Sequence, residues 1–127
     1  MFKLHSTDDG RQLPTEYLPC SAMAPKYGMA MYITSGKLAK ASGSNVATHI
    51  SLREEASAVS AGTIIPVAKI QPDQVWETDA QESGYSIGAA YDVHTDGLSI
   101  KLASSNPTGN FVLNAVDGTV VRGRFVK

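Results

Sequence analysis

The residues whose types and spacing most suggest a catalytic or metal site are Asp92, His94 and Asp96. If they lie on a strand, their side chains share one face, because residues two apart in a strand point the same way. Such a face could supply half of a metal site or a histidine–carboxylate pair. However, Asp96 directly precedes Gly97, and an aspartate in that position commonly bonds its own backbone in a turn. We therefore expect a solvated strand face here, with no bound metal and no cofactor.

The segment SGKLAKASGS, residues 35–44, has the composition of a phosphate-binding loop but not its spacing. A Walker loop needs a first glycine five positions before its Gly-Lys pair and a Ser or Thr directly after the lysine. Met31 stands where that glycine is required, and Leu38 follows Lys37. The segment therefore favours a hairpin turn at Ser35 and Gly36 over a nucleotide site.

The remaining reactive side chains favour structural roles. Cys20 is the single cysteine, so it forms no disulfide within the chain, and we expect a small apolar residue that is buried or half-buried. Glu54 and Glu55 are neighbours whose side chains point in different directions, which is typical of surface charges. Core or interface packing is also the simpler expectation for the aromatic residues that could stack against a sugar, namely Tyr27, Tyr32, Trp76, Tyr85 and Tyr91. No enzymatic arrangement emerges, and we expect a protein without catalytic activity.

The low charge of the chain argues against nucleic-acid binding. Only 18% of residues are charged and the formal net charge is −1, whereas phosphate-backbone binding depends on Lys and Arg displacing counterions. A weak basic stripe is possible, but scattered solvated charges are the simpler expectation for Lys37, Lys40, Lys101, Arg122 and Arg124. No apolar run approaches the length of a membrane span, and no signal peptide is visible. We therefore expect no nucleic-acid or membrane partner, and synthesis in a reducing cytoplasm.

Three ten-residue windows predict β-hairpins. The windows 31–40, 92–101 and 113–122 each place Ser or Asp before a glycine, between two β-prone halves. Such pairs are favoured in tight turns whose central residues need positive φ. The pattern predicts that Gly36, Gly97 and Gly118 occupy equivalent turn positions.

The rest of the chain after residue 28 also favours short strands. Further strands are expected at 49–53, 63–70 and 74–78, with loops at 79–88 and 104–109. Pro66 suggests an edge strand or a bulge, and Trp76 should be half-buried. Residues 52–61 are either a short helix or a loop, because Ser51 and Glu54 form a capping box and Gly62 suits a helix end. Seven or eight short strands with regular turns predict an all-β fold, a small barrel or a sandwich.

Residues 1–27 differ from residues 28–127, for which we predict one compact β-domain. Pro14, Pro19 and Pro25 predict neither a helix nor a central strand, so this segment should be an extended N-terminal arm. Its spaced apolar residues are too numerous for a solvated tail and should contact this domain or a neighbouring subunit: Leu13, Tyr17, Leu18, Met23 and Tyr27. Deletion of residues 2–22 should then leave the domain folded while weakening its attachment to the partner.

Two stretches carry a resemblance to a known family. The segment APKYGMAMYITSGKLAKASG, residues 24–43, and the segment THISLREEASAVSAGTIIPVAKI, residues 48–70, resemble small phage proteins encoded among head genes. In general layout, an extended arm followed by a compact β-rich domain, the chain is similar to the lambda-type head decoration proteins. The resemblance carries no specific functional motif, since such proteins act through surface contacts.

The resemblance implies a β-tulip or barrel-like domain and a virion protein on the outer face of the capsid, made in the host cytoplasm. It implies the major capsid protein as partner, a capsid-stabilising or cement role, and a homo-oligomer, with a trimer favoured. The predicted hairpins 91–101 and 111–126 look like a unit of their own, which leaves a tail or baseplate β-module open. A glycan-binding β-domain that uses Trp76 and the tyrosines also remains open, as does a small hydrolase or metal protein that uses Asp92, His94 and Asp96.

Overall fold

The computed structural model describes residues 1–8, 10, 14–102 and 109–126. Within these ranges the chain forms eleven strands and no helix, which confirms the all-β prediction. The strands are β1 (Lys3–Thr7), β2 (Thr15–Cys20), β3 (Ala30–Thr34), β4 (Lys37–Lys40), β5 (His49–Ser51), β6 (Thr63–Lys69), β7 (Gln74–Asp79), β8 (Ala90–Val93), β9 (Ile100–Lys101), β10 (Phe111–Asp117) and β11 (Val120–Phe125).

The strands form two layers, an open sheet and a closed barrel. The sheet has the order β1-β7-β11-β10-β8-β9, and the barrel has the order β2-β4-β3-β5-β6. Residues 52–61, for which a helix and a loop were equally open, form a loop that connects β5 to β6. The predicted loop at 104–109 falls mostly on residues that lie outside the described ranges.

Alternation along the barrel strands produces two separate apolar cores. On β3, Met31 points into the barrel, while its neighbour Ala30 points out toward the open sheet, because successive side chains of a strand face opposite ways. The barrel interior is built from Cys20, Met29, Met31, Leu38, Ile65 and Val67. The larger core between the layers is dominated by aromatic and branched residues of the sheet, including Phe2, Trp76, Tyr91, Phe111, Leu113, Val121 and Phe125. Each large side chain buried in this way contributes about 1.5–3 kcal/mol of transfer free energy.

The first 27 residues belong to both layers. β1 pairs with β7 in the sheet, and β2 lies between β6 and β4 in the barrel. Phe2 is 1% exposed, and its ring centroid lies 5.0 Å from that of Phe125. The prediction that this segment contains no central strand is therefore wrong. β2 can contain Pro19 because, among the described residues, β4 pairs with β2 only at Cys20. On the edge of β2 that faces β4, Pro19 therefore has no strand partner that would need its missing N–H.

The three predicted hairpins exist, but their glycines are not equivalent. Ser35 and Gly36 connect β3 to β4, which confirms the predicted hairpin turn, and their φ values of 51° and 76° are those of a two-residue type I′ turn. Between β10 and β11 the central residues are Gly118 and Thr119, so this glycine comes first in its turn rather than second. Between β8 and β9 the connection is the six-residue loop 94–99, because pairing stops at Val93 and Ile100. The shared dipeptide pattern therefore predicts the three hairpins correctly, but the predicted equivalence of Gly36, Gly97 and Gly118 is wrong.

Two predictions about the central strands are corrected. Trp76 is 1% exposed rather than half-buried, because β7 lies inside the sheet between β1 and β11. β6 is not an edge strand, since β2 and β5 flank it. Pro66 fits there because the ladder with β5 covers only Val67–Lys69, so the missing N–H of Pro66 falls beyond the end of that ladder. Its carbonyl accepts a hydrogen bond from the Leu52 N–H at 3.1 Å.

Candidate protein-contact surface

Four apolar side chains form a patch on the outside of the barrel, which we call the barrel face: Tyr17, Pro19, Ile64 and Pro66. Tyr17 lies opposite Pro66 and Pro19 lies opposite Ile64 in the antiparallel pairing of β2 with β6. Side chains directly opposite on one face of such a pair lie close together, so the four form a continuous surface. Tyr17 is 70% exposed and Ile64 is 54% exposed. The barrel face is thus an apolar surface that the described part of the chain leaves open to solvent.

The local sequence explains why these residues point outward. Leu18 and Cys20 of β2, and Ile65 and Val67 of β6, pack in the barrel interior. Because strand side chains alternate, the residues between them must face away from the barrel.

The barrel face has the chemical character of a protein contact. Tyrosine offers a large apolar ring with a polar end and few rotatable bonds, and it is enriched among residues that dominate binding energy. The two prolines add rigid apolar area at little cost in conformational entropy. A tyrosine flanked by isoleucine and prolines is therefore suited to the desolvated centre of an interface.

The structure separates the five predicted contact residues. Tyr17 alone lies on the barrel face. Leu18 and Met23 are partly buried and pack against the barrel interior. Tyr27 is 46% exposed, but it lines a different cleft. Leu13 lies outside the described residues, so its contact role stays a prediction.

Sequence analysis missed three members of the barrel face. Proline is mainly a signal of an interrupted or edge strand, and an apolar run such as 63–70 does not by residue type distinguish its two faces. Alternation alone would have placed Ile64 and Pro66 on the side opposite Ile65 and Val67. The pairing of β6 with β2 had no local signal, because the paired residues are far apart in sequence.

The cleft beside Tyr27 has a volume of about 370 Å³ and lies where the first strand of the sheet meets the barrel. Its walls include Phe2, Leu4, Ile50 and Trp76, all of which belong to or pack against the core between the layers. Beside it, Glu54 pairs with Lys26 at 3.5 Å and accepts a hydrogen bond from the Tyr27 N–H at 3.4 Å. This cleft is mainly an incompletely filled seam between the two layers.

A buried histidine connects two barrel strands near one end. His49 is 5% exposed, and its Nε2 lies 2.7 Å from Oε1 of Glu16. Its Nδ1 lies 2.8 Å from the Thr48 hydroxyl. Nε2 donates to the Glu16 carboxylate, which can only accept, and Nδ1 shares the second hydrogen bond with the Thr48 hydroxyl. Sequence analysis missed this set because Glu16 and His49 are 33 positions apart.

Asp92, His94 and Asp96 do not share a strand face. β8 ends at Val93, and the Asp96 carboxylate accepts a hydrogen bond from the Leu98 N–H at 2.8 Å. This is the turn contact that was expected of Asp96. His94 Nδ1 lies 3.7 Å from Asp96 Oδ1. Among the described residues there is no group of three or more His, Cys, Asp or Glu side chains arranged to hold a metal ion.

The aromatic residues considered for sugar stacking do not form one exposed platform. Trp76 and Tyr91 are buried, at 1% and 7% exposure. Tyr85 packs edge-on against Tyr91 at 5.0 Å, and its hydroxyl donates to the Ile100 carbonyl at 2.9 Å. Burial, followed by the nearby charge of Glu82, raises the pKa of the Tyr85 phenol to about 12. These three rings serve the core of the sheet.

The charged residues considered for a basic stripe are partly neutralised. Arg122 pairs with Glu77 at 3.3 Å, and Arg124 pairs with Asp8 at 2.8 Å. The hydrogen bond from Arg124 holds the pKa of the Asp8 carboxyl below its usual value.

Cys20 is fully buried, and burial raises the pKa of its thiol. Its predicted role as a buried apolar residue is confirmed.

Comparison with known proteins supplies no family for this chain. A scan against protein-family models finds no match, and a search of curated proteins finds no significant match. No helix long and apolar enough to cross a membrane occurs in the part of the chain that the structure describes.

Proposed function

We propose that this chain is a non-enzymatic virion structural protein that binds the outer surface of a phage capsid and stabilises it. The observation that carries the proposal is the barrel face, an aromatic and aliphatic patch on two paired strands with Tyr17 at 70% exposure. Its proposed partner is the major capsid protein.

The physical basis is the burial of apolar area at the joints of the shell. Apolar surface removed from water contributes about 25 cal/mol per Å², before the costs of association are subtracted. A stable contact buries about 800 Å² on each partner, so the barrel face would be its desolvated centre and polar neighbours its rim. The near-neutral net charge of −1 is compatible with attachment to a protein surface and gives little attraction to packaged nucleic acid.

The resemblance of residues 24–43 and 48–70 to phage head proteins supports the choice of a capsid as the partner surface. Under this proposal the protein acts as a homo-oligomer, with a trimer favoured, because a repeated capsid lattice presents its sites in symmetric sets. The contact is made by the barrel itself, with Tyr17 as its anchor, rather than by a free arm.

The proposal is tested by co-sedimentation with expanded capsids assembled from the major capsid protein of the same source genome. We expect saturable binding in a fixed ratio to capsomers. Tyr17→Ala should weaken binding by about 30-fold, the effect of losing a residue that dominates an interface. The matched control is Ile87→Ala, because Ile87 is a 68% exposed apolar residue on a loop of the other layer.

Failure to bind both expanded and unexpanded shells would overturn the capsid proposal and favour the tail-module or glycan-binding alternatives. Binding that Tyr17→Ala and Ile87→Ala weaken equally would keep the capsid as partner but remove the barrel face as the contact. Both variants should melt at the wild-type temperature, since neither side chain is buried.

A further inference from the structure

A second cleft, of about 670 Å³, opens at one side of the molecule where both layers contribute walls. Val46 and Ala47 come from the segment before β5, Ile70 follows β6, and Phe125 and Val126 come from the end of β11. Val46 and Val126 are 40% and 39% exposed, so the apolar walls are open to solvent rather than collapsed on one another. Binding sites for small molecules typically have volumes of about 300–1,000 Å³ and mostly apolar walls.

The polar groups of this cleft are positively charged or neutral. Lys69 lines the cleft and is exposed, and none of the described residues that line the cleft is acidic. No described carboxylate lies within ion-pair distance of the Lys69 ammonium group, whereas the nearby Arg124 is occupied by Asp8 at 2.8 Å. Lys69 is therefore a cation that lines an apolar cleft and has no ion-pair partner among the described residues.

Glu16, a carboxylate of the barrel, does not line the cleft and forms no ion pair with Lys69. Glu16 lies opposite Val67 on β2, and its Oε1 is held by Nε2 of His49 at 2.7 Å. His49 lines the cleft, and Glu16 does not. The other ring nitrogen of His49 contacts the hydroxyl of Thr48, an exposed residue that also lines the cleft. The Thr48 hydroxyl is engaged by His49, so the cleft presents the Lys69 ammonium group beside its apolar walls.

We propose that this cleft binds a small amphipathic carboxylate, an apolar chain that ends in a carboxylate group as in a medium-chain fatty acid. The chain lies along Val46, Ile70 and Val126, and the carboxylate faces the Lys69 ammonium. A charged group is required as well as apolar area, because a hydrogen bond to a charged partner is stronger than one between neutral groups. This site is separate from the barrel face and does not depend on capsid binding.

The test is a calorimetric titration of the purified protein with three ligands of equal chain length: decanoate, decanol and decyltrimethylammonium. We expect saturable binding of one decanoate per chain, weaker binding of decanol, and no binding of the cation. Lys69→Gln should weaken decanoate binding about tenfold and leave decanol binding within twofold. Lys37→Gln is the matched control, since Lys37 lies at the turn between β3 and β4 and does not line the cleft.

A second pair of variants tests the apolar walls. Val46→Trp should fill the cleft and abolish binding of both decanoate and decanol, whereas Val116→Trp, at a valine of 42% exposure on β10, should leave both unchanged. Lys69→Glu keeps the proposal testable if a tryptophan variant misfolds, because it should reverse the preference and favour the cationic ligand.

The absence of saturable decanoate binding by the wild-type protein would overturn the proposal. An unchanged ratio of decanoate to decanol affinity in Lys69→Gln would overturn it as well. Decanoate binding that Val46→Trp and Val116→Trp leave equally intact would have the same meaning, since the ligand would then lie elsewhere.

Discussion

At the scale of single residues, the end of the barrel depends on one buried imidazole. The His49 side chain on β5 contacts Glu16 on β2 across the intervening β6. The residue is 5% exposed, and the Glu16 carboxylate accepts the hydrogen bond from its Nε2–H at 2.7 Å. A buried donor left without an acceptor costs about 1–3 kcal/mol.

Glu16→Ala should therefore lower the free energy of unfolding by about 1–3 kcal/mol, since it removes the acceptor and leaves His49 buried. Glu16→Gln is the control, because its amide oxygen can still accept the hydrogen bond and the expected loss is smaller. Urea unfolding at neutral pH, followed by tryptophan fluorescence, measures both. Equal losses in the two variants would contradict the assignment of Glu16 as the acceptor of a buried donor.

Tyr85 gives the fold a specific sensitivity to alkali. Its phenol has a pKa raised to about 12 in the folded protein, above its usual value of 10, because burial and Glu82 disfavour the phenolate. Because the pKa is higher in the folded state, the stability that the protonated Tyr85 contributes is fully present below pH 10, where both the folded and the unfolded chain keep this proton. As the pH rises from 10 towards 12, the unfolded chain loses this proton first and stability is lost.

Tyr85→Phe abolishes this titration and should flatten part of the alkaline loss of stability. The measurement is the change in melting temperature between pH 9 and pH 11 for the wild-type protein and the variant, with the other four tyrosines common to both. A wild-type decline no steeper than that of Tyr85→Phe would contradict a raised pKa at this residue.

At the scale of elements, the N-terminal segment supplies one strand to each layer: β1 to the sheet and β2 to the barrel. Phe2 is buried among Phe111 and Phe125, and Cys20 is buried in the barrel. Removal of these strands would open the barrel between β4 and β6 and leave β7 without its outer neighbour.

Deletion of residues 2–22 should consequently unfold the protein, contrary to the expectation drawn from the sequence. Loss of Phe2 alone, as Phe2→Ala, should cost about 3–5 kcal/mol, because it creates a cavity in the core between the layers. Lys3→Ala is the control, since the neighbouring Lys3 side chain is exposed. Far-UV circular dichroism and urea unfolding measure these effects, and a folded deletion variant with a cooperative transition would contradict the fold.

Some strands can be predicted from the sequence because neighbouring residues encode them, whereas others form only by pairing with distant residues. The turn at Ser35–Gly36 and the β-branched strand at 63–69 are encoded locally, so sequence patterns predict them. β1 and β2 contain few consecutive apolar residues, and their partners on β7 and β6 lie 43–74 positions away. Their stability comes from that distant pairing, which no local pattern contains.

The candidate surfaces follow the same distinction. Tyr17 is recognisable from the sequence as an apolar residue in need of a contact, but its neighbours on the barrel face are known only once β2 pairs with β6. The second cleft brings together residues near positions 46, 70 and 126, and these have no sequence signal in common.

At the scale of the whole molecule, the two layers should unfold as one unit. The core between them contains Ala30 and Ile50 from the barrel together with Phe111 and Val121 from the sheet. Unfolding of either layer would therefore expose apolar side chains of the other layer to water. The segment 1–27 reinforces this coupling, because it runs from β1 in the sheet to β2 in the barrel.

The chain carries one natural probe in each core. Trp76, its single tryptophan, lies between the layers, and Cys20, its single cysteine, lies inside the barrel. In a urea series, the midpoint of Trp76 fluorescence should coincide with the midpoint at which Cys20 reacts with a thiol reagent in a brief pulse. Coincidence of independent probes is the expected behaviour of a two-state transition in a domain of this size.

Cys20→Ala controls for the specificity of the reagent, and it should keep the cooperative Trp76 transition at a somewhat lower urea concentration, because it removes a buried sulfur atom. Exposure of Cys20 at lower urea than the Trp76 transition would mean that the barrel opens while the sheet stays folded. The two layers would then be separate folding units, and the core between them would contribute less to stability than its buried aromatic residues imply. The raised pKa of the Cys20 thiol makes the comparison sharp, since a thiol that is both buried and protonated reacts only after the barrel has opened.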